Sequence, residues 1–214
     1  MDSNANKEIT LGSDEDECNV TESSDFPFWL YPMRRDMQEI IPGLFLGPYA
    51  SAMKSKLEDL LKAGITHIIC IRQSIEAKFI RPNFPQHFQY LVLEVADCPT
   101  ENIIKHFKPT KEFIDDCLDN RGRVLVHGNG GISRSAAVVI AYVMVKGTMS
   151  YREAFAYVRN KRFCISLNEG FSQQLLEYEH IYRAELLFAC QTSAQSGKRK
   201  RFDLEMDSEQ TFPK

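Results

Sequence analysis

The sequence predicts an α/β fold, in which helices flank a central and mostly parallel β-sheet. Short β-branched apolar runs alternate with longer segments in which apolar residues recur every three or four positions. Strands that alternate with helices favour a parallel sheet, because parallel neighbours are joined by crossover connections that are usually helical. No internal repeat is visible, so one such domain is expected.

Four short segments carry the strand pattern. The first, 40–46, is a strand or a turn followed by a strand, because Pro42-Gly43 lies inside it. Strands buried on both faces are predicted at 65–71, 90–95 and 124–126, where apolar and β-branched residues follow one another without strict alternation.

Five segments carry the helical pattern. They are predicted at 57–63, 103–118, 135–146, 151–159 and 171–186. Pro109 kinks the second helix or divides it in two, and Gly64 and Gly147 end the first and the third. Asn168 is a candidate N-cap for the last helix.

Length and composition are those of a globular protein: 214 residues, of which 43% are hydrophobic and 26% charged. The longest apolar run, 136–145, is shorter than the ~20 residues that span a bilayer. The first residues have neither the basic start nor the apolar stretch of a secretory signal. These observations exclude fibrous and wholly disordered chains, and they predict a soluble intracellular protein with no membrane partner.

Charge divides the chain into three parts. Residues 1–26 carry eight acidic side chains and one lysine, and we expect this acidic segment to be disordered. Residues 27–190 form the predicted domain, with a mild excess of positive charge. Residues 191–214 are expected to be a disordered tail, in which Lys198-Arg199-Lys200-Arg201 either resembles a nuclear-localisation signal or is a solvated basic patch. Aromatic residues do not alternate with a basic stripe, so nucleic acid is not an expected partner.

Six cysteines are scattered along the chain, and none forms a Cys-x-x-Cys pair. This spacing argues against a structural zinc site, and reduced thiols are the expected state. Neither a metal nor another cofactor is predicted. Apolar neighbours indicate that Cys70, Cys117 and Cys164 pack in the core.

The most informative segment is 123–136, in which a strand ends at His127, small residues follow and a helix begins near Arg134. Glycines allow successive backbone N–H groups to turn inward, and a helix N-terminus adds partial positive charge, so the loop is suited to an anion. Arg134 offers a bidentate fork for phosphate or carboxylate. The predicted phosphate-binding residues are Gly128, Asn129, Gly130, Gly131, Ile132, Ser133 and Arg134, supported by His127 and Ser135.

Other interpretations of this loop are weaker. It is not a nucleotide P-loop, because no Gly-Lys-Ser/Thr follows at the required spacing, and it lacks the dinucleotide fingerprint. A turn that is rich in glycine only for tight packing remains an alternative, although such a turn does not need Arg134.

The loop resembles the signature of the dual-specificity protein tyrosine phosphatases, which reads His-Cys, five residues, then Arg-Ser or Arg-Thr. His127, Gly131, Ser133, Arg134 and Ser135 match it. The resemblance extends through most of 28–190: Ile40 to Gly47 is similar to the entry segment of the family, Gly64 to Ile68 to its first core strand, and Asn168 to Leu175 to the start of its last helix. It implies a dual-specificity phosphatase-like domain.

The resemblance also implies roles for single residues. Asp97 occupies the position of the general acid, with a helix cap or turn residue as the alternative. In active members the histidine supports the thiolate and the loop, and the serine after the arginine helps to expel the cysteine. Here His127 is expected to hydrogen-bond to backbone, and Ser135 to pack at the helix start.

Gly128 stands where the family has its cysteine, and this departure decides the expected function. The family cysteine attacks phosphorus as a thiolate, whereas glycine has no side chain to act as nucleophile. Asn129, one position along, is an amide and cannot replace it. A deliberate knock-out would more often use serine or alanine, so we interpret the glycine as natural.

Three functions follow as alternatives. The first is a catalytically inactive phosphatase, a pseudophosphatase, that binds phosphorylated signalling proteins. The second is an interaction scaffold whose phosphate loop is a relic, and the third is a weakly active phosphatase. Resemblance to the pseudophosphatase group implies MAP kinases, held in the nucleus, and F-box proteins, kept from assembling into ubiquitin ligases, as partners. A monomer found in nucleus and cytoplasm is expected.

Overall fold

The computed structural model describes the backbone of residues 30–206 and the side chains of residues 30–188. The acidic segment 1–26 and residues 207–214 of the predicted tail lie outside the described residues. Within the described part, five strands and five α-helices follow one another as an α/β fold.

The sheet has the order β1-β2-β5-β3-β4. Its strands are β1 (Gln38–Ile41), β2 (Leu44–Pro48), β3 (His67–Arg72), β4 (Gln89–Glu94) and β5 (Val124–Gly128). Only β1 runs antiparallel to its neighbour; β2, β5, β3 and β4 are parallel. The predicted mostly parallel sheet is confirmed.

The structure decides between the two alternatives for 40–46 and corrects one strand prediction. Pro42 and Gly43 form the turn of a hairpin between β1 and β2, so the turn is right and the single strand is wrong; proline has no N–H to give to a ladder. The strand predicted at 90–95 is not buried on both faces, since β4 is an edge strand and Val92 is 37% exposed.

The helices are α1 (Leu57–Lys62), α2 (Phe107–Asp119), α3 (Arg134–Gly147), α4 (Tyr151–Lys161) and α5 (Glu169–Met206). Pro109 lies in the first turn of α2, where no intrahelical N–H bond is lost, and a separate 3₁₀ turn, Ile104–His106, precedes that helix. Asn168 is the predicted cap: its Oδ1 accepts a hydrogen bond of 2.9 Å from the backbone N–H of Phe171.

Helix α5 continues to Met206, beyond the boundary at which the sequence predicts a disordered tail. The segment from 191 to 206 has no proline, and six of its sixteen residues are Gln, Lys or Arg, which favour helix. The backbone of 191–206 is therefore helical where the sequence analysis expected a disordered tail.

Two apolar clusters hold the sheet between its helices. Helix α3 is buried from Arg134 to Met144 and lies with α4 and α5 against one face, while the smaller cluster around Phe45, Leu60 and Leu125 covers the other. Cys70 and Cys117 are buried as predicted, but Cys164 is only half-buried, because it lies in the loop between α4 and α5. Among the described residues no helix has the length and hydropathy needed to cross a membrane.

Candidate functional site

The loop between β5 and α3 surrounds a cavity of about 440 Å³ at the carboxyl edge of the sheet. All seven residues predicted to bind phosphate line it, and Ser135, Asp97 and Arg34 complete the wall. Parallel strands end at the same edge, so the loop after β5 meets the segments that follow β3 and β4. The predicted residues therefore lie together around one cavity, and Arg34, which the sequence analysis missed, lies with them.

Gly131 gives the loop its shape. Its φ of +66° lies in the left-handed region, and a Cβ there would come within 2.4 Å of the carbonyl oxygen of Gly47. Any other residue at this position would push the loop away from β2.

The sequence analysis expected the Arg134 guanidinium to be free to bind an anion in the cavity, but in the structure its terminal nitrogens are already paired. Its Nη1 and Nη2 donate to the two carboxylate oxygens of Glu76 at 2.6 and 3.1 Å, and Nη1 also donates to the carbonyl of Val95. The hydrogen bonds from Arg134 hold the pKa of the Glu76 carboxyl below its usual range. The predicted anion-binding arginine is thus engaged by a carboxylate from the 3₁₀ turn Ser74–Lys78.

Asp97 lies at the mouth of the cavity, where the family resemblance places a general acid. Its Oδ1 accepts hydrogen bonds from Ser133 Oγ at 2.7 Å and from Asn168 Nδ2 at 3.0 Å. Arg134 Nε is 3.6 Å from Oδ2. These donors are side chains, so the structure does not favour the alternative of a helix cap.

Gly128 leaves an open position at the base of the cavity. A Cβ at this position would be 3.4 Å from Ser135 Oγ and 3.5 Å from the carbonyl oxygen of Ile71, which is ordinary van der Waals contact. Ser135 Oγ is buried and has no hydrogen-bond partner among the described residues. The hydroxyl therefore borders the position that a side chain at 128 would occupy.

Arg162 is a second residue that sequence reasoning missed. It is fully buried, and its Nε and Nη2 donate to the carbonyls of Gly131 and Gly130 at 2.8 and 3.1 Å. The same guanidinium donates to the carbonyls of Arg34 and Asp36. These hydrogen bonds connect the loop between β5 and α3 to the segment that carries Arg34.

Residues 44–181 match the family described as the dual specificity phosphatase catalytic domain. The chain belongs to the dual-specificity phosphatase family.

Sequence identity to two curated relatives measures how similar this chain is to other members of the family. The human serine/threonine/tyrosine-interacting protein is 69% identical over 158 residues, which cover 74% of this chain and 71% of that protein. Human dual specificity protein phosphatase 22 is 36% identical over 155 residues, covering 71% of this chain and 80% of that protein.

A solved structure supports the same assignment. The crystal structure of the human tyrosine phosphatase-like serine/threonine/tyrosine-interacting protein aligns with a TM-score of 0.68 at 69% identity. The alignment covers 69% of this chain and 98% of that one. The fold is therefore that of a dual-specificity phosphatase domain.

His127, the histidine of the phosphatase signature, is fully buried beneath the loop. Its Nδ1 lies 3.4 Å from the carbonyl oxygen of Gly128, as expected for a structural residue, and Nε2 has no partner among the described residues. Burial lowers the pKa of this imidazole to about 4, so the ring is neutral at pH 7.

We expect the folding stability of the protein to fall as the pH drops from about 6.5 towards 4. The unfolded histidine takes up a proton near its ordinary pKa of 6.5, whereas the folded one does so only at about 4, so protonation favours the unfolded state. The difference corresponds to about 3 kcal/mol at most. Urea unfolding at pH 7 and pH 5 measures it, and His127→Gln should remove that part of the loss. The exposed His180→Gln is the control; equal losses in all three proteins would contradict the assignment.

Arg162 should be required for the stability of this phosphatase-like loop. Arg162→Met keeps much of the volume but leaves buried carbonyls without donors, and we expect a loss of about 3 kcal/mol or more in the free energy of unfolding. Arg159, three residues earlier on α4, contacts the ring of Phe163 at 5.1 Å and is exposed. Arg159→Met should cost less than about 1 kcal/mol. Similar losses for the two variants in chemical denaturation would refute the role given to Arg162.

Proposed function

We propose that this chain is a pseudophosphatase that binds phosphorylated proteins without hydrolysing them. The observation that carries the proposal is a loop that matches the phosphatase signature around one cavity but has glycine at the nucleophile position. The residues from Gly128 to Arg134 all line this cavity, while Gly128 offers no side-chain atom that could attack phosphorus.

The missing thiolate changes the electrostatics of binding as well as the chemistry. A thiolate at the base of the loop would lie roughly 4 Å from a phosphate dianion, and such a like charge costs on the order of 1–4 kcal/mol, depending on screening. Gly128 removes this repulsion. We therefore expect the loop to bind phosphate at least as well as it would with cysteine at 128.

A second candidate function is an interaction scaffold whose loop is a relic. The ion pair between Arg134 and Glu76 favours it, because the two terminal nitrogens of the guanidinium already have a carboxylate partner. A ligand would have to displace or share that carboxylate. The two candidates differ in whether partner binding depends on phosphate.

The partner classes of the proposal come from similarity. The name of the human relative describes an interacting protein, which supports a binding role for this chain. We infer MAP kinases and F-box proteins as partner candidates, and residence in nucleus and cytoplasm. The basic run at Lys198 to Arg201 supports nuclear import.

Fluorescence anisotropy with a phosphopeptide and its unphosphorylated counterpart tests the proposal. The wild-type protein should bind the phosphorylated form with at least about tenfold preference and release no phosphate. Arg134→Lys, which keeps the charge but loses the bidentate fork, should weaken that preference. Equal binding of both peptides would favour the scaffold, and phosphate release by the wild-type protein would show a weakly active phosphatase.

A further inference from the structure

We propose that a basic cleft beside the phosphate loop docks the acidic N-terminal segment of this same chain. The cleft has a volume of about 610 Å³. It is lined by Tyr49, Met53, Lys54, Ser55, Lys78, Phe79, Arg81 and Asn83, and we call this set the basic cleft.

The cations of the basic cleft have no ion-pair partner among the described residues. Lys54, Lys78 and Arg81 are exposed, and none of the three makes an ion pair or side-chain hydrogen bond with another residue that the structure describes. Within the described part of the chain, the lining of the cleft includes no acidic residue. The nearby Lys56 is different, because it pairs with Asp59 at 2.8 Å. Three unpaired cations around one depression form a site for several carboxylates.

Apolar surface lies between these charges. Phe79 is 75% exposed and Met53 is 47% exposed, which is unusual for large apolar side chains that lie together at one cleft. Asn83 stabilises the floor of the basic cleft: its Nδ2 donates to Tyr49 Oη at 3.0 Å and to the carbonyl of Ala52 at 2.8 Å. The surface is therefore suited to an acidic segment that also carries apolar side chains.

The N-terminal segment has that composition. Residues 1–26 contain eight acidic side chains and one lysine, and four of the acidic side chains are consecutive at 14–17. Leu11 and Val20 flank this run. Charge complementarity with the basic cleft is therefore strong.

The connection to the domain also permits docking. Twelve residues lie between Glu17 and Leu30, which allows a span of up to roughly 40 Å at about 3.3 Å per residue. The segment joins the domain next to the cleft, since the carbonyl of Arg35 accepts a hydrogen bond of 3.2 Å from Ser51 in the same 3₁₀ turn as Tyr49. A tether of this length gives a high effective concentration without a separate partner.

Docking at this place would act on the phosphate loop. The backbone N–H of Tyr49 donates to the carbonyl of Asn129 at 3.1 Å, and its ring lies 5.8 Å from that of His127. Carboxylates held beside Tyr49 would repel an anionic ligand in the loop.

Paramagnetic relaxation enhancement on the full chain tests the proposal. Cys18, next to the acidic run, carries the spin label in a variant with Cys98, Cys164 and Cys190 changed to serine; Cys70 and Cys117 are buried. The amide signals of 53–55 and 78–81 should lose at least about half of their intensity at low salt and recover at high salt.

Charge variants in the labelled protein decide whether the basic cleft is responsible. Changing Lys54, Lys78 and Arg81 to glutamine together should abolish the attenuation, while changing Lys62, Lys108 and Arg152 to glutamine should leave it. An absence of attenuation at the cleft, attenuation spread evenly over the domain, or attenuation that survives the cleft variant would each overturn the proposal.

Discussion

Replacing Gly128 by cysteine is expected to produce phosphatase activity in a chain for which we propose none. A Cβ fits at this position and would lie 3.4 Å from Ser135 Oγ. This hydroxyl has no hydrogen-bond partner among the described residues, so it is available to donate to a sulfur at 128. The N-terminus of α3 and the Arg134 guanidinium would lower the thiol pKa and favour the thiolate. Release of phosphate from a phosphopeptide should rise at least about a hundredfold above the wild-type background.

Two further variants separate the nucleophile from the general acid. Gly128→Ser occupies the same space without a thiolate and should stay at background. Asp97→Asn in the cysteine variant should lower phosphate release about a hundredfold if Asp97 protonates the leaving group. Background rates for the cysteine variant would show that the loop no longer holds phosphate in a reactive geometry.

Replacing Glu76 by glutamine is expected to tighten the binding of a phosphopeptide by about tenfold. The carboxylate of Glu76 accepts hydrogen bonds from both terminal nitrogens of Arg134, and its negative charge would repel an anionic ligand bound to the same guanidinium. Glutamine keeps the size of the side chain but removes the competing charge. Isothermal titration calorimetry of both proteins with the same peptide gives the comparison.

Glu94 provides the matched control for this prediction. It is exposed and accepts a hydrogen bond of 3.1 Å from Ser74, in the same turn region as Glu76, but it makes no contact with Arg134. Glu94→Gln should therefore leave the affinity within about twofold of wild type. If Glu76→Gln binds no better than Glu94→Gln, the ion pair does not restrict the loop.

Much of the fold could be predicted because the central elements have strong local signals. The buried runs that became β3 and β5 and the apolar α3 are continuous in sequence, and Asn168 caps α5 by the interaction that its residue type favours. The edge position of β4 was not predictable from its own residues, because exposure depends on which strands surround it. Pro42-Gly43 indicated a turn as one alternative for 40–46, but β1, the other arm of the hairpin, begins at Gln38, outside the apolar run.

The loop between β5 and α3 could be recognised for the same reason: its residues are adjacent in sequence. Glu76, Arg34 and Arg162 were missed because they reach the loop from distant segments; Glu76 is 58 positions from Arg134. Arg162 bonds mainly to backbone carbonyls, which every residue has, so no complementary residue type marks its role in the sequence. Ion pairs and hydrogen bonds to carbonyls between residues that are distant in the chain leave no periodic pattern in the sequence.

Binding without hydrolysis is tested by a nuclear magnetic resonance titration with a phosphopeptide, with phosphate release assayed in the same sample. We expect the loop amides from Gly128 to Arg134 to shift on addition of the phosphorylated peptide and to stay unchanged with the unphosphorylated one, and we expect no inorganic phosphate to accumulate. Loop amides that do not respond to the phosphopeptide, or phosphate that accumulates during the titration, would contradict it.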